Sequence, residues 1–259
     1  MTTGGIELHY EFKEGPGLPR VYLNGIAMSV SHWNPLREYL SPAAELVHDF
    51  KDQLRSGKAS AGYDMQSHAD ELAALFDELS IESAYLIGTS YGGEVAMLFA
   101  LSYPERCAGL VIIDAVSESD ARLKAAVDSW KVAALSDPGV FYRMLMPWNY
   151  SARFIEGNLD SLLQRQELVV SLPREFFEGF ARLCDAFLAL DITDRLNEIR
   201  CPTLVLVGEH DILKPPAYSR LIHERIPGSQ YDVIPDAGHA VIIEKPQAVA
   251  DRIQAFVGE

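Results

Sequence analysis

Cysteine is scarce in this sequence: Cys107, Cys184 and Cys201 are the only three in 259 residues, and no two form a C-x-x-C pair. That spacing excludes a disulfide framework and a zinc ribbon, and it suits thiols packed as small hydrophobes in a reducing compartment. Basic residues are also few. Lys and Arg total 22 against 37 Asp and Glu, a formal charge of −15, which disfavours nucleic acid and an anionic membrane face as partners. No apolar run approaches the ~18–20 residues of a membrane span, and Met1 to Gly5 lacks the basic-then-apolar pattern of a secretion signal. The expectation is therefore a cytoplasmic protein with no membrane insertion. Repeats, low-complexity tracts and metal-ligand spacings are absent too, so neither a solenoid nor a metal site is expected.

What is present is the pattern of a layered α/β chain. Short strand patterns run from Ile6 to Phe12, Arg20 to Leu23 and Ala43 to Phe50, with Gly15-Pro16-Gly17 turning the chain. Gln66 to Ser80 has apolar positions at helical spacing, with Ser67 and Asp70 resembling a capping box. Then Ala84–Ile87, Leu110–Ile113 and Thr203–Val207 are continuous apolar strands, and Tyr231–Ile234 is a fourth. Helical runs at Gly93–Leu101, Ala217–Ile226 and Pro246–Val257 alternate with them. Continuous apolar strands alternating with helices mean a mostly parallel sheet covered on both faces. The span 116–195 differs, with several helical patterns and many aromatic residues. It is expected to form a helical cap over a core made of residues 1–115 and 196–259, roofing the C-terminal ends of the strands where open α/β sheets bind ligands.

Gly88-Thr89-Ser90-Tyr91-Gly92-Gly93 joins an apolar strand to a helix-forming run. A serine raised on such a strained strand-to-helix turn is the placement a nucleophile needs, and glycines two positions to either side remove Cβ atoms that would crowd it. The helix that follows aims free N–H groups at the same place. A serine hydroxyl needs a base, and the base an orienting acid. His239, in Pro235-Asp236-Ala237-Gly238-His239 after the last strand, is the candidate base. Its rivals are His48, expected at the sheet edge, and His210. Asp211, in Gly208-Glu209-His210-Asp211, is the candidate acid, with Glu209 and Asp114 as alternatives. The three candidates, Ser90, Asp211 and His239, all follow strands.

On these motifs the chain resembles the α/β-hydrolase superfamily, in its small, capped, cofactor-free branch of esterases, thioesterases, enol-lactonases and C–C bond hydrolases. The resemblance extends to Leu23-Asn24-Gly25-Ile26, Asp49 to Ser56, and Ile199-Arg200-Cys201-Pro202-Thr203-Leu204. It implies an α/β-hydrolase fold, a catalytic set of Ser90, Asp211 and His239, no cofactor and no metal. It further implies an oxyanion hole from the backbone N–H groups of Ile26 and Tyr91. Two departures stand out. Asn24-Gly25-Ile26-Ala27 replaces the family's His-Gly-x-Pro, as in enol-lactonases and certain acyltransferases. Asp52 and Leu54 stand where many relatives have glycine, so that loop is expected to be shaped differently.

The expected function is cleavage of a small-molecule acyl ester, thioester or lactone through an acyl-enzyme on Ser90. The alternatives are acyl transfer or C–C bond hydrolysis on the same three residues, and a non-catalytic ligand receptor. Met28, Trp33, Phe141, Met144 and Trp148, with Met146 and Phe154, are expected to line a moderately hydrophobic pocket. Monomer and homodimer both stay open.

Overall fold

The computed structural model describes residues 2–3 and 5–258. A two-stranded ribbon (β1, Thr2–Thr3; β2, Ile6–Glu7) precedes a seven-stranded sheet. Its strands are β3 (Tyr10–Lys13), β4 (Arg20–Leu23), β5 (Glu45–His48), β6 (Ala84–Thr89), β7 (Cys107–Ile113), β8 (Thr203–Gly208) and β9 (Gln230–Ile234). They lie in the order β3-β5-β4-β6-β7-β8-β9, with β3 antiparallel to β5 and every other pair parallel. The expected single strand from Ile6 to Phe12 is broken at Leu8-His9, where the His9 N–H donates to Ser56 Oγ. His48 does not mark the edge, because β3 pairs outside its strand.

The central strands are buried along their length and carry Val, Ile and Leu on both faces. Two apolar layers cover them. One packs α2 (Gln66–Glu78) and α3 (Tyr91–Ser102) against the sheet through Leu72, Phe76, Val95 and Phe99. The other packs α10 (Pro246–Val257) with two single turns, α1 (Asn34–Arg37) and α9 (Val241–Glu244), through Leu36, Val241, Val249 and Ile253. α8 (Pro216–Arg225) packs beside β8 and β9. The start of α2 is held by Asp64, whose carboxylate accepts from Ser67 N–H, rather than by the Ser67–Asp70 pair expected from sequence. Cys107 and Cys201, distant in sequence, lie with sulfurs 3.6 Å apart where β7 and β8 begin.

Four helices are inserted between β7 and β8: α4 (Ala121–Ser136), α5 (Pro138–Asn149), α6 (Ala152–Val170) and α7 (Arg174–Leu188). Side-chain caps set three of their starts: Asp120 on Leu123 N–H, Asp137 on Gly139 and Val140 N–H, and Ser151 on Phe154 N–H. The insertion closes at its neck, where Ser119 N–H donates to Leu190 and Ile192 N–H donates to Ser117. Its inner apolar residues, among them Trp130, Phe141 and Phe180, join the same core as α2 and α3.

Candidate active site

Ser90 leaves β6 with φ 52° and ψ −120°, a left-handed conformation that costs a non-glycine residue strain. The neighbouring glycines make the turn possible, through contacts with backbone rather than with the serine. A Cβ on Gly88 would stand 2.2 Å from the Gly92 carbonyl oxygen, and one on Gly92 would stand 2.0 Å from the Leu23 carbonyl oxygen on β4. The turn is tied down by Ser90 N–H donating to the Ile113 carbonyl on β7.

The structure brings the three sequence candidates into one line. His239 Nε2 is 2.9 Å from Ser90 Oγ, and His239 Nδ1 is 2.7 Å from Asp211 Oδ2. Asp211 Oδ1 accepts from the N–H groups of Leu213 and Lys214, both at 2.8 Å. The loop bearing His239 is fixed to the acid loop by His210 N–H donating to the Ala237 carbonyl, and to α5 by Ala240 N–H donating to Asn149. Burial alone would raise the Asp211 pKa. The charge and hydrogen bond of His239, with the Lys214 backbone N–H, outweigh it and hold the carboxyl below its usual range.

The rival residues sit elsewhere. Glu209 and His210 are exposed, and Glu209 accepts from Asp236 N–H. His48 is buried beside Phe50, where loss of solvation lowers its pKa to about 4. Asp114 is buried behind Asp211, with Oδ1 accepting from Gly208 N–H at 2.8 Å. Its burial and the adjacent Asp211 charge push its pKa well upward, opposite in direction to that of Asp211.

The Asn24–Ala27 loop lies beside the serine: a Cβ on Gly25 would stand 3.7 Å from Ser90 Cβ. Tyr91, the first residue of α3, has no intrahelical acceptor for its N–H. Among the described residues no hydrogen bond engages Ile26 N–H either. Asn24 organises the loop from behind. Its Nδ2 donates to Asp49 Oδ1 and Gln53 Oε1, and its Oδ1 accepts from Trp33 Nε1 at 2.8 Å. Gln53 Nε2 donates to the Gly25 and Ile26 carbonyls. Asp52 has φ 69°, in the left-handed region that favours glycine.

A cavity of about 540 Å³ opens above Ser90. Its lining is mostly apolar, with Leu123, Val127, Trp130, Leu145, Phe187 and Leu213, and also includes the polar side chains of His32, Asn149 and Arg165. Burial and then the nearby Arg165 charge lower the His32 pKa.

Met28 and Phe141 line this cavity, as does Met146. Four expected pocket residues do not. Trp33 is fully buried in the apolar layer on the opposite face of the sheet, because the short helical turn after Met28 points it inward against Tyr22. Met144 and Trp148 flank the lining face of α5: the cavity takes positions 141, 142, 145, 146 and 149, while Met144 and Trp148 pack against the core beside it, Trp148 on Trp130. Phe154 stacks on Tyr150.

Sequence reasoning missed Lys214 and Glu94. Lys214 Nζ donates to Glu94 Oε1 at 2.8 Å and to Ser90 Oγ at 3.2 Å, and both side chains are buried. A lysine three residues after the candidate acid, and a glutamate one helical turn after the candidate serine, were the available signals.

A mostly parallel sheet with a serine raised at a central strand end, and a histidine and aspartate delivered by later loops, defines the serine-containing α/β-hydrolase class. A family model described as "alpha/beta hydrolase fold" matches residues 21–246, and the chain belongs to that family. It is similar to a proposed carbamate hydrolase, RutD, of Caulobacter sp. (strain K31), with 28% identity covering 99% of this chain and 98% of the relative. Among solved structures it is similar to MGS-M2, an α/β hydrolase from a Medee basin deep-sea metagenome library. There the identity is 29%, the TM-score 0.95, and the coverage 100% of this chain and 97% of that one. A thermophilic esterase from Thermogutta terrifontis shares 30% identity at TM-score 0.87, over 99% of this chain and 95% of the other. No helix among the described residues is long and apolar enough to cross a membrane.

Proposed function

We propose that the chain is a serine hydrolase that cleaves a carboxylic ester, thioester or lactone through an acyl-enzyme on Ser90. The observation that carries this reading is the continuous hydrogen-bonded line from Asp211 through His239 to Ser90, ending at the floor of a largely apolar cavity. His239 Nε2 takes the Ser90 proton as Oγ attacks the acyl carbonyl. The Ile26 and Tyr91 N–H groups receive the oxyanion, each worth roughly 10²–10³ in rate by analogy with measured sites. His239 then protonates the leaving group, and water activated in the same way releases the acid. Asp211 stays ionised and fixes the imidazole tautomer. The helices α4–α7 act as a cap, and the apolar lining they contribute to the cavity holds a moderately hydrophobic acyl group.

Intact-mass labelling with an organophosphonate, followed by turnover of esters of increasing acyl length, tests the reading. One phosphonyl adduct per chain is expected, lost in Ser90→Ala together with turnover. Labelling of Ser90→Ala at the wild-type rate would remove Ser90 from its role.

A further inference from the structure

The Lys214–Glu94 pair has no part in the mechanism above, yet it sits against the nucleophile. The oxyanion-side loop follows β4, on one side of β6, and Lys214 follows β8, on the other. Lys214 is therefore placed across Ser90 from the Ile26 amide. Its neighbours Phe187, whose ring centroid is 5.0 Å from Nζ, and Leu213 belong to the apolar lining of the cavity. A carbonyl carbon bonded to Ser90 Oγ has three other directions. Its oxygen faces the amides, its leaving group faces His239, and its acyl chain must run past Lys214 and Glu94.

The pair is incompletely satisfied. An ammonium has three N–H donors; two of those on Lys214 go to Glu94 Oε1 and Ser90 Oγ, and no third acceptor is present among the described residues. Glu94 Oε1 accepts from Lys214 and from Val116 N–H, while Oε2 is buried without a partner. Unpaired groups of this kind carry a desolvation cost in an apolar site. Both residues line the cavity.

We propose that Lys214 and Glu94 form a specificity site for a hydroxyl group on the acyl carbon next to the scissile carbonyl, so that 2-hydroxyacyl esters or lactones are the favoured substrate class. This rests on the serine-hydrolase reading and refines it. A hydroxyl oxygen accepts from Lys214 Nζ and brings no charge beside the fully buried Glu94 carboxylate. A methylene leaves the remaining Lys214 donor without an acceptor. A carboxylate accepts from Lys214 but meets the Glu94 charge. The 2-position is favoured because its oxygen lies three bonds from Oγ, within reach of an ammonium that already touches Oγ.

The test uses phenyl esters of 2-hydroxyhexanoic, hexanoic and 2-carboxyhexanoic acids, followed by phenol release. Wild type should show kcat/KM for the 2-hydroxy ester roughly 10- to 100-fold above hexanoate, the range expected for hydrogen bonds to buried charged groups. The 2-carboxy ester should be the poorest. The double variant Lys214→Met/Glu94→Gln removes both charges together, so no unpaired ion is left buried, and the introduced amide can still accept from Val116 N–H. It should bring the 2-hydroxy-to-hexanoate ratio to within about threefold of one. Organophosphonate labelling of Ser90 in the variant shows that the site is assembled, and a fold defect alone would lower both rates without changing their ratio.

A wild type that cleaves hexanoate with no preference for the hydroxyl, or prefers the carboxylate, overturns the proposal and leaves the serine-hydrolase reading standing. So does an intact preference in the labelled double variant. A wild type that cleaves none of the esters and takes no label overturns both.

Discussion

Asp211 receives three hydrogen bonds, two from backbone N–H groups and one from His239, whereas Glu209, two residues earlier, points to solvent. If the acid fixes the imidazole, Asp211→Asn should lower kcat by about 10⁴, the loss seen when such an aspartate is amidated. Glu209→Gln should stay within about twofold, as an exposed substitution does; steady-state kinetics on one ester compares the two. Asp114 makes a different case, because a carboxyl whose folded pKa is raised favours folding fully only below its unfolded pKa. That contribution is lost as pH rises, because the unfolded chain ionises freely while burial and the Asp211 charge oppose ionisation in the folded one. Asp114→Asn keeps an acceptor for Gly208 N–H and is always neutral. Its Tm at pH 7 should therefore rise, by about 2–4 °C per kcal/mol gained in a chain of this size, and the gain should fade towards pH 3. An unchanged or lower Tm at pH 7 would contradict this account.

At the scale of elements, the structure joins the inserted helices to the candidate oxyanion loop through one bend. Arg182 on α7 makes two hydrogen bonds to Asp52, from Nε at 2.9 Å and from a guanidinium NH₂ at 2.6 Å, and Tyr63 adds a third at 2.8 Å. Next in sequence is Gln53, which holds the Gly25 and Ile26 carbonyls. Close packing reinforces the joint, since a Cβ on Gly179 would stand 2.6 Å from the Asp52 carbonyl oxygen. These bonds offset the left-handed strain that a non-glycine residue brings to Asp52. Arg182→Met should destabilise by about 3 kcal/mol, because it leaves the Asp52 carboxylate buried and unpaired. Asp52→Gly/Arg182→Met should cost less than the sum of the single changes, since glycine removes both the charge and the strain. Urea unfolding of the four proteins measures the coupling, and strict additivity would mean that the two residues act independently.

At the scale of the whole molecule, the order of strands and helices is written in the sequence because burial on both faces imposes continuous apolar runs on β6, β7 and β8. Ser90 and Asp211 are legible for a related reason, since each follows such a strand, and His239 lies in the loop after the partly buried edge strand β9. The cavity is not, since it depends on which face of α5 turns inward, and a helical run of aromatics gives spacing without absolute rotation. Lys214 and Glu94 escape as well, because a charged side chain in a loop or helix reads as solvated until its partner, 120 residues away, is known. The buried histidines belong to this scale too. His48 has neither ring nitrogen hydrogen-bonded, and its pKa of about 4 arises chiefly from lost solvation, with His68 and Glu71 nearby. A histidine depressed in the folded state supports folding fully above its unfolded pKa of ~6.5 and loses that support as pH falls towards 4. Over that window His48 alone should remove on the order of 3 kcal/mol. The burial that lowers the His68 pKa, though Glu71 opposes it, adds to the same trend. Urea unfolding of wild type at pH 7.5, 6 and 4.5 should show stability falling across the series, and His48→Leu should flatten a large part of that slope. An identical pH dependence in the variant would place the acid sensitivity in other groups.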